Sequence, residues 1–129
     1  MKISIIIPSF NGKTLLLGNL PLVLKACETW DPTKRKWEVL VIDDASTDGT
    51  DQWLRKTYPN VKTIRNRKNL RFGESCNRGV KEAKGEVIIL LNNDVQPEPD
   101  FLQPLLVHFK HSDVFAVGCK EINIAEEKV

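Results

Sequence analysis

The chain has 129 residues, with 19 lysines and arginines against 17 aspartates and glutamates, which gives a formal net charge of +2. This length suits a single domain with a substantial core, and the near balance of charge gives no reason to expect a nucleic-acid partner. No apolar run approaches the roughly 18 residues that cross a bilayer, and the first residues lack the apolar core of a secretory signal. We therefore expect one soluble domain without a transmembrane segment, located in the cytoplasm.

Short apolar runs alternate with amphipathic stretches along the chain. The runs are short and rich in β-branched residues, which favours buried strands, and the stretches between them have helical spacing. We expect Pro8 to end the first strand and Pro21 to kink or split the first helix, because proline donates no backbone hydrogen bond. In chain order, the predicted elements are a strand over residues 3–7, a helix that ends near residue 28, a strand over 37–43, a helix over 49–58, a strand over 61–65, a helix over 74–83, a strand over 86–91, a helix over 100–110 and a strand over 114–119.

This alternation, with connections long enough for crossovers, predicts the α/β class: a mostly parallel sheet with helices on both faces. The third predicted strand is less apolar than the others, so we place it nearer an edge of the sheet. Parallel strands direct their carboxyl ends to one rim, where open α/β sheets hold ligands. Residues 8–11, 43–44, 65–72 and 93–94 should therefore lie together at that rim.

Carboxylates gather at this predicted rim. Asp43 and Asp44 directly follow the second strand, Asp94 follows the fourth, and a basic loop over residues 65–71 lies beside them. Crowded carboxylates repel each other unless a cation joins them, and hard divalent ions such as Mg²⁺ or Mn²⁺ take oxygen ligands. Such an ion commonly shares its coordination with phosphates, which makes the rim a candidate metal and phosphate site. The basic loop alone would be equally typical of a solvated surface.

Four segments carry a resemblance to a known family. They are Ile-Ile-Ile-Pro-Ser-Phe-Asn at residues 5–11, Val-Ile-Asp-Asp-Ala-Ser-Thr-Asp-Gly-Thr at 41–50, Asn-Leu-Arg-Phe-Gly-Glu-Ser-Cys-Asn-Arg-Gly at 69–79 and Leu-Leu-Asn-Asn-Asp at 90–94. In order and spacing they resemble the N-terminal, donor-binding portion of inverting glycosyltransferase family 2. The resemblance covers nearly all of the chain and implies a GT-A type nucleotide-diphospho-sugar transferase fold that is truncated by comparison with the family.

The resemblance implies a nucleotide-sugar site built from these motifs. Asp44 would accept a hydrogen bond from the N3–H of uracil or thymine, and Asp43 beside it would support the turn. Asp94 matches the family's metal-holding carboxylate, but Asn92 and Asn93 stand at the other positions of that motif, so metal affinity without nucleotide should be weak. The residues implied to bind the nucleotide sugar are Pro8, Ser9, Asn11, Asp43, Asp44, Arg71, Asn77 and Asn93.

The resemblance also implies the reaction and its participants. A sugar would pass from a nucleotide-diphospho-sugar, with UDP- or dTDP-sugars favoured, to an acceptor hydroxyl with inversion, assisted by Mg²⁺ or Mn²⁺. Residues 1–129 would be the donor portion, with the acceptor portion absent and the general base expected beyond Val129, so we identify no catalytic residue. The polar tail over residues 120–129 looks like a cut end.

The implied setting is cell wall or polysaccharide biosynthesis, in the cytoplasm or at the inner face of a membrane. The sequence does not distinguish a glycan, a lipid and a protein as the acceptor.

Two other functions stay open at the level of the residues. A receiver-type phosphoacceptor module has a similar length and rim carboxylates, but its acidic pair follows the first strand, whereas Asp43 and Asp44 follow the second. A nucleotidyltransferase would also need a metal and a nucleoside pocket. Such enzymes usually open with a glycine-rich, basic loop, and residues 8–13 contain one glycine and one lysine.

Overall fold

The computed structural model describes residues 1–123. Strands and helices alternate through this part of the chain, and a short 3₁₀ helix follows the last α-helix. The strand predicted over residues 37–43 has the observed bounds. In chain order the elements are β1 (Ile3–Ser9), α1 (Lys13–Trp30), β2 (Trp37–Asp43), α2 (Thr50–Thr57), β3 (Lys62–Arg65), α3 (Arg71–Glu82), β4 (Val87–Leu90), α4 (Leu102–Leu106) and the 3₁₀ helix (Val107–Lys110).

The strands form one parallel sheet in the order β3-β2-β1-β4. β1 pairs with β2 along its whole length, from Ile3 opposite Trp37 to Ser9 opposite Asp43. The edge position of β3 confirms the expectation drawn from its lower apolar content. Since β1 and β2 occupy the centre, their carboxyl ends lie side by side at the middle of one rim.

One face of the sheet packs against α1, α2 and α4. Side chains alternate along a strand, so every second residue of β1 and β2 points to this face and is buried against leucines of the helices. Removing this apolar surface from water is the main source of stability for the layer. The buried residues of the cluster are Ile3, Ile5, Ile7, Leu16, Leu20, Val23, Cys27, Val39, Val41, Leu54, Val61, Leu102 and Leu106.

The opposite face of the sheet packs against α3. Ile6, Leu40, Ile42 and Ile64 form the buried cluster on this side. Gly79 of α3 lies so close to the sheet that a Cβ at this residue would be 2.5 Å from Ile6 Cγ2. Helices therefore cover both faces, as the sequence predicts.

Both prolines that were expected to interrupt elements lie inside them. Pro8 stays within β1, and its missing N–H falls beyond Leu90, where the neighbouring strand β4 has ended. The helix α1 runs unbroken across Pro21 from Lys13 to Trp30. Leu17, whose carbonyl loses its helical partner at this proline, lies on the exposed side of the helix and is itself 52% exposed. The predicted end of β1 at Pro8 is wrong, and α1 is not split at Pro21.

The helix α3 begins three residues earlier than predicted. It starts at Arg71, because the Asp44 carboxylate at the end of β2 accepts hydrogen bonds from the backbone N–H groups of Leu70 and Arg71. A carboxylate at this position satisfies free donors of the first helical turn and favours the positive end of the helix dipole. The N-terminal cap of α3 is therefore supplied by Asp44, which is distant in sequence. No residue near 71 indicates this cap.

The described residues after β4 contain no strand. The helix predicted over residues 100–110 is divided into α4 and the 3₁₀ helix, and the strand predicted over 114–119 is wrong. Phe115 in that segment is 98% exposed, so the segment has neither a neighbouring strand nor a core to bury it. Residues 124–129, at the end of the tail interpreted as a cut end, lie outside the described residues. Within residues 1–123, no helix is both long and apolar enough to cross a membrane.

Candidate functional site

A cleft of about 370 Å³ opens at the rim where β1, β2 and β4 end. Asp44 directly follows β2, and Asp94 lies in the segment after β4. Both line this cleft, so the two carboxylates expected at one rim lie at the same cleft. The start of α3 forms the remaining wall. The residues that line the cleft are Pro8, Ser9, Phe10, Asp44, Asn69, Arg71, Phe72, Ser75, Asn92, Asn93 and Asp94.

The carboxylate of Asp44 is held by three N–H donors. Its Oδ1 accepts hydrogen bonds from Asn66 Nδ2 (2.8 Å) and Leu70 N (2.7 Å), and its Oδ2 accepts one from Arg71 N (2.9 Å). The backbone N–H of Asp44 donates to Ser9 O (2.9 Å). Each carboxylate oxygen can accept about two hydrogen bonds, so Oδ2 retains an acceptor position for a ligand in the cleft.

Asp43 has a structural position outside the cleft lining. It is fully buried, its Oδ2 accepts a hydrogen bond from Arg65 Nη1 (2.7 Å), and its Oδ1 accepts one from Ser46 N (3.2 Å). Arg65 Nη1 also donates to Ser46 O (3.0 Å). These bonds hold the turn after β2, which agrees with the supporting role expected for Asp43. Arg65, one of the cations of the basic loop, is therefore used to stabilise this turn.

Ser9 and Asn93 meet across the floor of the cleft. Asn93 Nδ2 donates to Ser9 Oγ (3.0 Å), and the Asn93 carbonyl accepts a hydrogen bond from Asn19 Nδ2 of α1 (2.9 Å). A Cβ at Gly12 would collide with both Asn93 Nδ2 and Ser9 Oγ, so only glycine allows this approach. The segment that carries Asp94 is therefore fastened to β1 and α1.

Besides Asp43, two predicted binding residues lie outside the cleft lining. Asn11 joins two loops instead: its backbone N–H donates to Ser46 Oγ (2.9 Å), and its Oδ1 accepts from Thr47 N (2.8 Å). Asn77 is exposed on α3. Lys13 N donates to Asp48 Oδ2 (3.1 Å) and reinforces the same loop contact. The binding roles of Asn11, Asp43 and Asn77 stay predictions.

Five residues that line the cleft were given no binding role from the sequence, although Phe10, Asn69 and Phe72 lie within the ranges expected at the rim. Phe10 is 53% exposed and Phe72 is 59% exposed, although large apolar side chains are usually buried. Exposed rings at a cleft offer flat faces on which a planar ligand can stack. The signal for Phe10 was its place directly after a buried strand. The five residues are Phe10, Asn69, Phe72, Ser75 and Asn92.

The charged side chains of the cleft are suited to a metal ion shared with phosphate. Asp94 offers an exposed carboxylate, flanked by the amides of Asn92 and Asn93, and Arg71 adds a cation to the lining. Within residues 1–123, no group of three or more histidine, cysteine or acidic side chains could hold a metal ion. Mg²⁺ is commonly bound by one or two carboxylates together with substrate phosphates, so these residues fit an ion that arrives with a nucleotide.

The comparison with known proteins agrees with these motifs. Residues 4–128 match the family described as Glycosyl transferase family 2. The chain is 31% identical over 125 residues to a dolichol-phosphate mannosyltransferase from Pyrococcus furiosus, covering 95% of this chain and 34% of that protein. It is 29% identical over 135 residues to poly(ribitol-phosphate) beta-N-acetylglucosaminyltransferase TarS from Staphylococcus aureus, covering 95% of this chain and 22% of that protein. The chain thus spans about a third or less of the length of these relatives.

Solved structures of glycosyltransferases share the fold. A crystal structure of S. aureus TarS in complex with UDP has a TM-score of 0.73 at 28% identity, covering 85% of this chain and 32% of that chain. Mannosyltransferase PcManGT from Pyrobaculum calidifontis, in complex with GDP-Man and Mn²⁺, has a TM-score of 0.68 at 26% identity, covering 78% of this chain and 30% of that chain. These likenesses favour neither a receiver module nor a nucleotidyltransferase. The chain has the GT-A fold and belongs to glycosyl transferase family 2.

Proposed function

We propose that this chain binds a nucleotide-diphospho-sugar in the cleft, and that residues 1–129 are the donor portion of an inverting glycosyltransferase. The observation that carries the proposal is the meeting of Asp44, Asp94 and two exposed phenylalanine rings at one cleft. Membership of the family supports the class of reaction. Since the chain covers 34% of the length of its mannosyltransferase relative, the activity proposed is that of a whole enzyme to which this chain contributes donor binding.

The nucleobase is proposed to stack on the exposed rings of Phe10 and Phe72 and to donate its N–H to Asp44. An ionised carboxylate only accepts hydrogen bonds, so the base must present a donor. Uracil and thymine do so through N3–H, and we favour UDP- or dTDP-sugars. The ligands of the two related structures support this reasoning, because uracil and guanine both carry a ring N–H beside a carbonyl.

The diphosphate is proposed to lie near Asp94. The carboxylate of Asp94 would hold Mg²⁺ or Mn²⁺ through oxygen, and the neighbouring Asn93 keeps this segment fixed through its bonds to Ser9 and Asn19. When bound, the ion supplies positive charge that stabilises the departing diphosphate. The guanidinium of Arg71, on the opposite wall, would add a second cation toward the phosphates.

The proposed transfer is a single displacement. An acceptor hydroxyl oxygen attacks the anomeric carbon while the bond from that carbon to the diphosphate oxygen breaks, and the hydroxyl proton passes to a carboxylate base. One displacement inverts the anomeric centre. Within the described cleft, Asp44 is committed to N–H donors and Asp94 to the ion, so we keep the general base in a segment beyond Val129. The acceptor stays unassigned among glycans, lipids and proteins, and a cytoplasmic place of action stays a proposal.

Calorimetric titration of the full chain with UDP-, dTDP- and GDP-sugars, with and without Mn²⁺, tests the proposal. We expect tighter binding of a UDP- or dTDP-sugar when Mn²⁺ is present. Asp94→Ala should lower the Mn²⁺-dependent affinity by about tenfold or more, since even outer partners of a metal ligand commonly contribute that much. Glu98→Ala, which removes an exposed acid outside the cleft lining, is the matched control and should bind like the wild type. Unchanged Mn²⁺-dependent binding by Asp94→Ala would show that the metal assignment is wrong.

A further inference from the structure

A buried asparagine lies directly behind Asp44. Asn66 follows β3 and is fully shielded from solvent. Its Nδ2 donates to Asp44 Oδ1 (2.8 Å) and to Ser75 Oγ (3.0 Å), and its backbone N–H donates to Asp43 O (2.8 Å). Both protons of the side-chain amide are therefore used, and one of them fixes the carboxylate that faces the cleft.

Arg78 determines which way the amide of Asn66 points. Its Nη1 donates to Asn66 Oδ1 (2.7 Å) and to the Arg65 carbonyl (2.9 Å). A guanidinium only donates hydrogen bonds, so the amide oxygen must face Arg78 and the amide nitrogen must face Asp44. Without Arg78, the buried amide oxygen would lose its donor, and the amide would be held from the Asp44 and Ser75 side alone.

We propose that Asn66, oriented by Arg78, is a positioning residue that acts through Asp44 to select the class of nucleobase. The held carboxylate accepts bases that present a ring N–H, such as uracil, and rejects cytosine, whose ring N3 is itself an acceptor. This inference rests on the proposed function, because it assigns the base-binding edge of the same cleft.

The selectivity follows from the burial of the carboxylate. Asp44 is only 4% exposed, so water compensates poorly for an acceptor placed against it. A buried polar group left without its partner costs more than a hydrogen bond gains, which is how sites built for one donor reject close analogues. Without Asn66, the carboxylate is held by the backbone N–H groups of Leu70 and Arg71 alone, and a small tilt would let it accept a hydrogen bond from the exocyclic amino group of cytosine. Loss of the support therefore lowers discrimination as well as affinity.

Calorimetric titration of the full chain with UDP and CDP, in the presence of Mn²⁺, tests this inference. The wild type should bind UDP about a hundredfold or more tightly than CDP. Asn66→Ala and Arg78→Leu should each lower that ratio by about tenfold or more, mainly through weaker UDP binding. Arg78→Lys retains a donor and should recover part of the ratio. If Asn66→Ala does not fold because the substituted residue is buried, the Arg78 variants still decide the test.

Arg55→Leu is the matched control for Arg78→Leu. Arg55 also donates to a backbone carbonyl, that of Thr63 (3.1 Å), and it lies on α2 outside the cleft lining. A structural role alone would lower the thermal midpoint of Arg78→Leu and leave its ratio of affinities at the wild-type value, as in Arg55→Leu. That result would overturn the inference while the proposed function stands. A wild-type chain that binds neither nucleotide would overturn the proposed function and this inference with it.

Discussion

Arg71 has a backbone conformation that residues other than glycine rarely adopt. Its φ is 72°, in the left-handed region, and its side chain lines the cleft. This conformation costs a residue with a Cβ about 1 kcal/mol or more, and such strain is commonly found at functional sites. Arg71→Gly should therefore raise the thermal midpoint by about 4 °C and lower the affinity for UDP, because the guanidinium is lost. Calorimetry of unfolding and of binding measures both effects.

Lys34→Gly is the control for the backbone effect alone. Lys34 has a φ of 60° in an exposed loop outside the cleft lining, and its ion pair with Glu28 joins two exposed side chains, which stabilises little. This variant should also gain thermal stability but keep the wild-type affinity for UDP. If Arg71→Gly binds UDP as tightly as Lys34→Gly does, Arg71 has no part in donor binding.

Asp31 links stability to pH. Its buried carboxylate accepts hydrogen bonds from Thr33 and from the backbone N–H groups of Arg35 and Lys36, which organise the loop between α1 and β2. The hydrogen bond from the Thr33 side chain is the main reason that the pKa of Asp31 lies below its ordinary value. A carboxylate with a lower pKa in the folded chain stabilises that state above the unfolded pKa, and the contribution is lost as pH falls through the folded pKa.

Asp31→Asn should therefore lower the free energy of unfolding at pH 7. Its stability should also decline less than that of the wild type as the pH falls below about 4, the ordinary pKa of aspartate, because the unfolded wild-type chain then takes up a proton at Asp31 before the folded chain does. Urea denaturation of both proteins between pH 3 and pH 7 measures the difference. Parallel curves for the two proteins over this range would contradict the assignment.

The contact of α3 with the sheet depends on one glycine. A Cβ at Gly79 would lie 2.5 Å from Ile6 Cγ2 in the core, whereas a Cβ at Gly73 of the same helix meets nothing within 4 Å. Alanine is the better helix former at both positions by about 1 kcal/mol, so the packing around each glycine decides whether the substitution stabilises or destabilises the fold. Gly79→Ala should destabilise the fold by about 1–3 kcal/mol, because overpacking moves the helix. Gly73→Ala should stabilise it. Urea denaturation that gives equal stabilities would show that α3 tolerates displacement.

Local patterns predicted the elements well where neighbours in sequence determine them. The run over residues 39–42 is apolar and mostly β-branched, and β2 has the bounds predicted around it, residues 37–43. The start of α3 could not be predicted in this way, because its cap is Asp44, which precedes Arg71 by 27 residues. The unbroken course of α1 across Pro21 depends on the burial of Leu16, Leu20 and Val23 against the sheet, and no local propensity contains that contact.

At the scale of the whole molecule, the parallel sheet could be predicted because strand and helix alternate in the chain. The same reasoning placed Asp44 and Asp94 at one rim, since parallel strands end on the same side. It placed residues 65–72 at the rim but could not predict that Ser75 lines the cleft, because that contribution depends on where α3 begins. It also predicted a strand over 114–119 from apolar content alone, although no described strand lies beside that segment to pair with it.

A crystal structure of the full chain grown with UDP and Mn²⁺ is the most direct test of the central claim, that one rim cleft binds a donor nucleotide between two carboxylates. We expect the uracil N3–H to donate to Asp44 Oδ2, the base to stack on Phe10 or Phe72, and the diphosphate to share Mn²⁺ with Asp94. Electron density for UDP outside this cleft, or a diphosphate and ion without contact to Asp94, would contradict the claim.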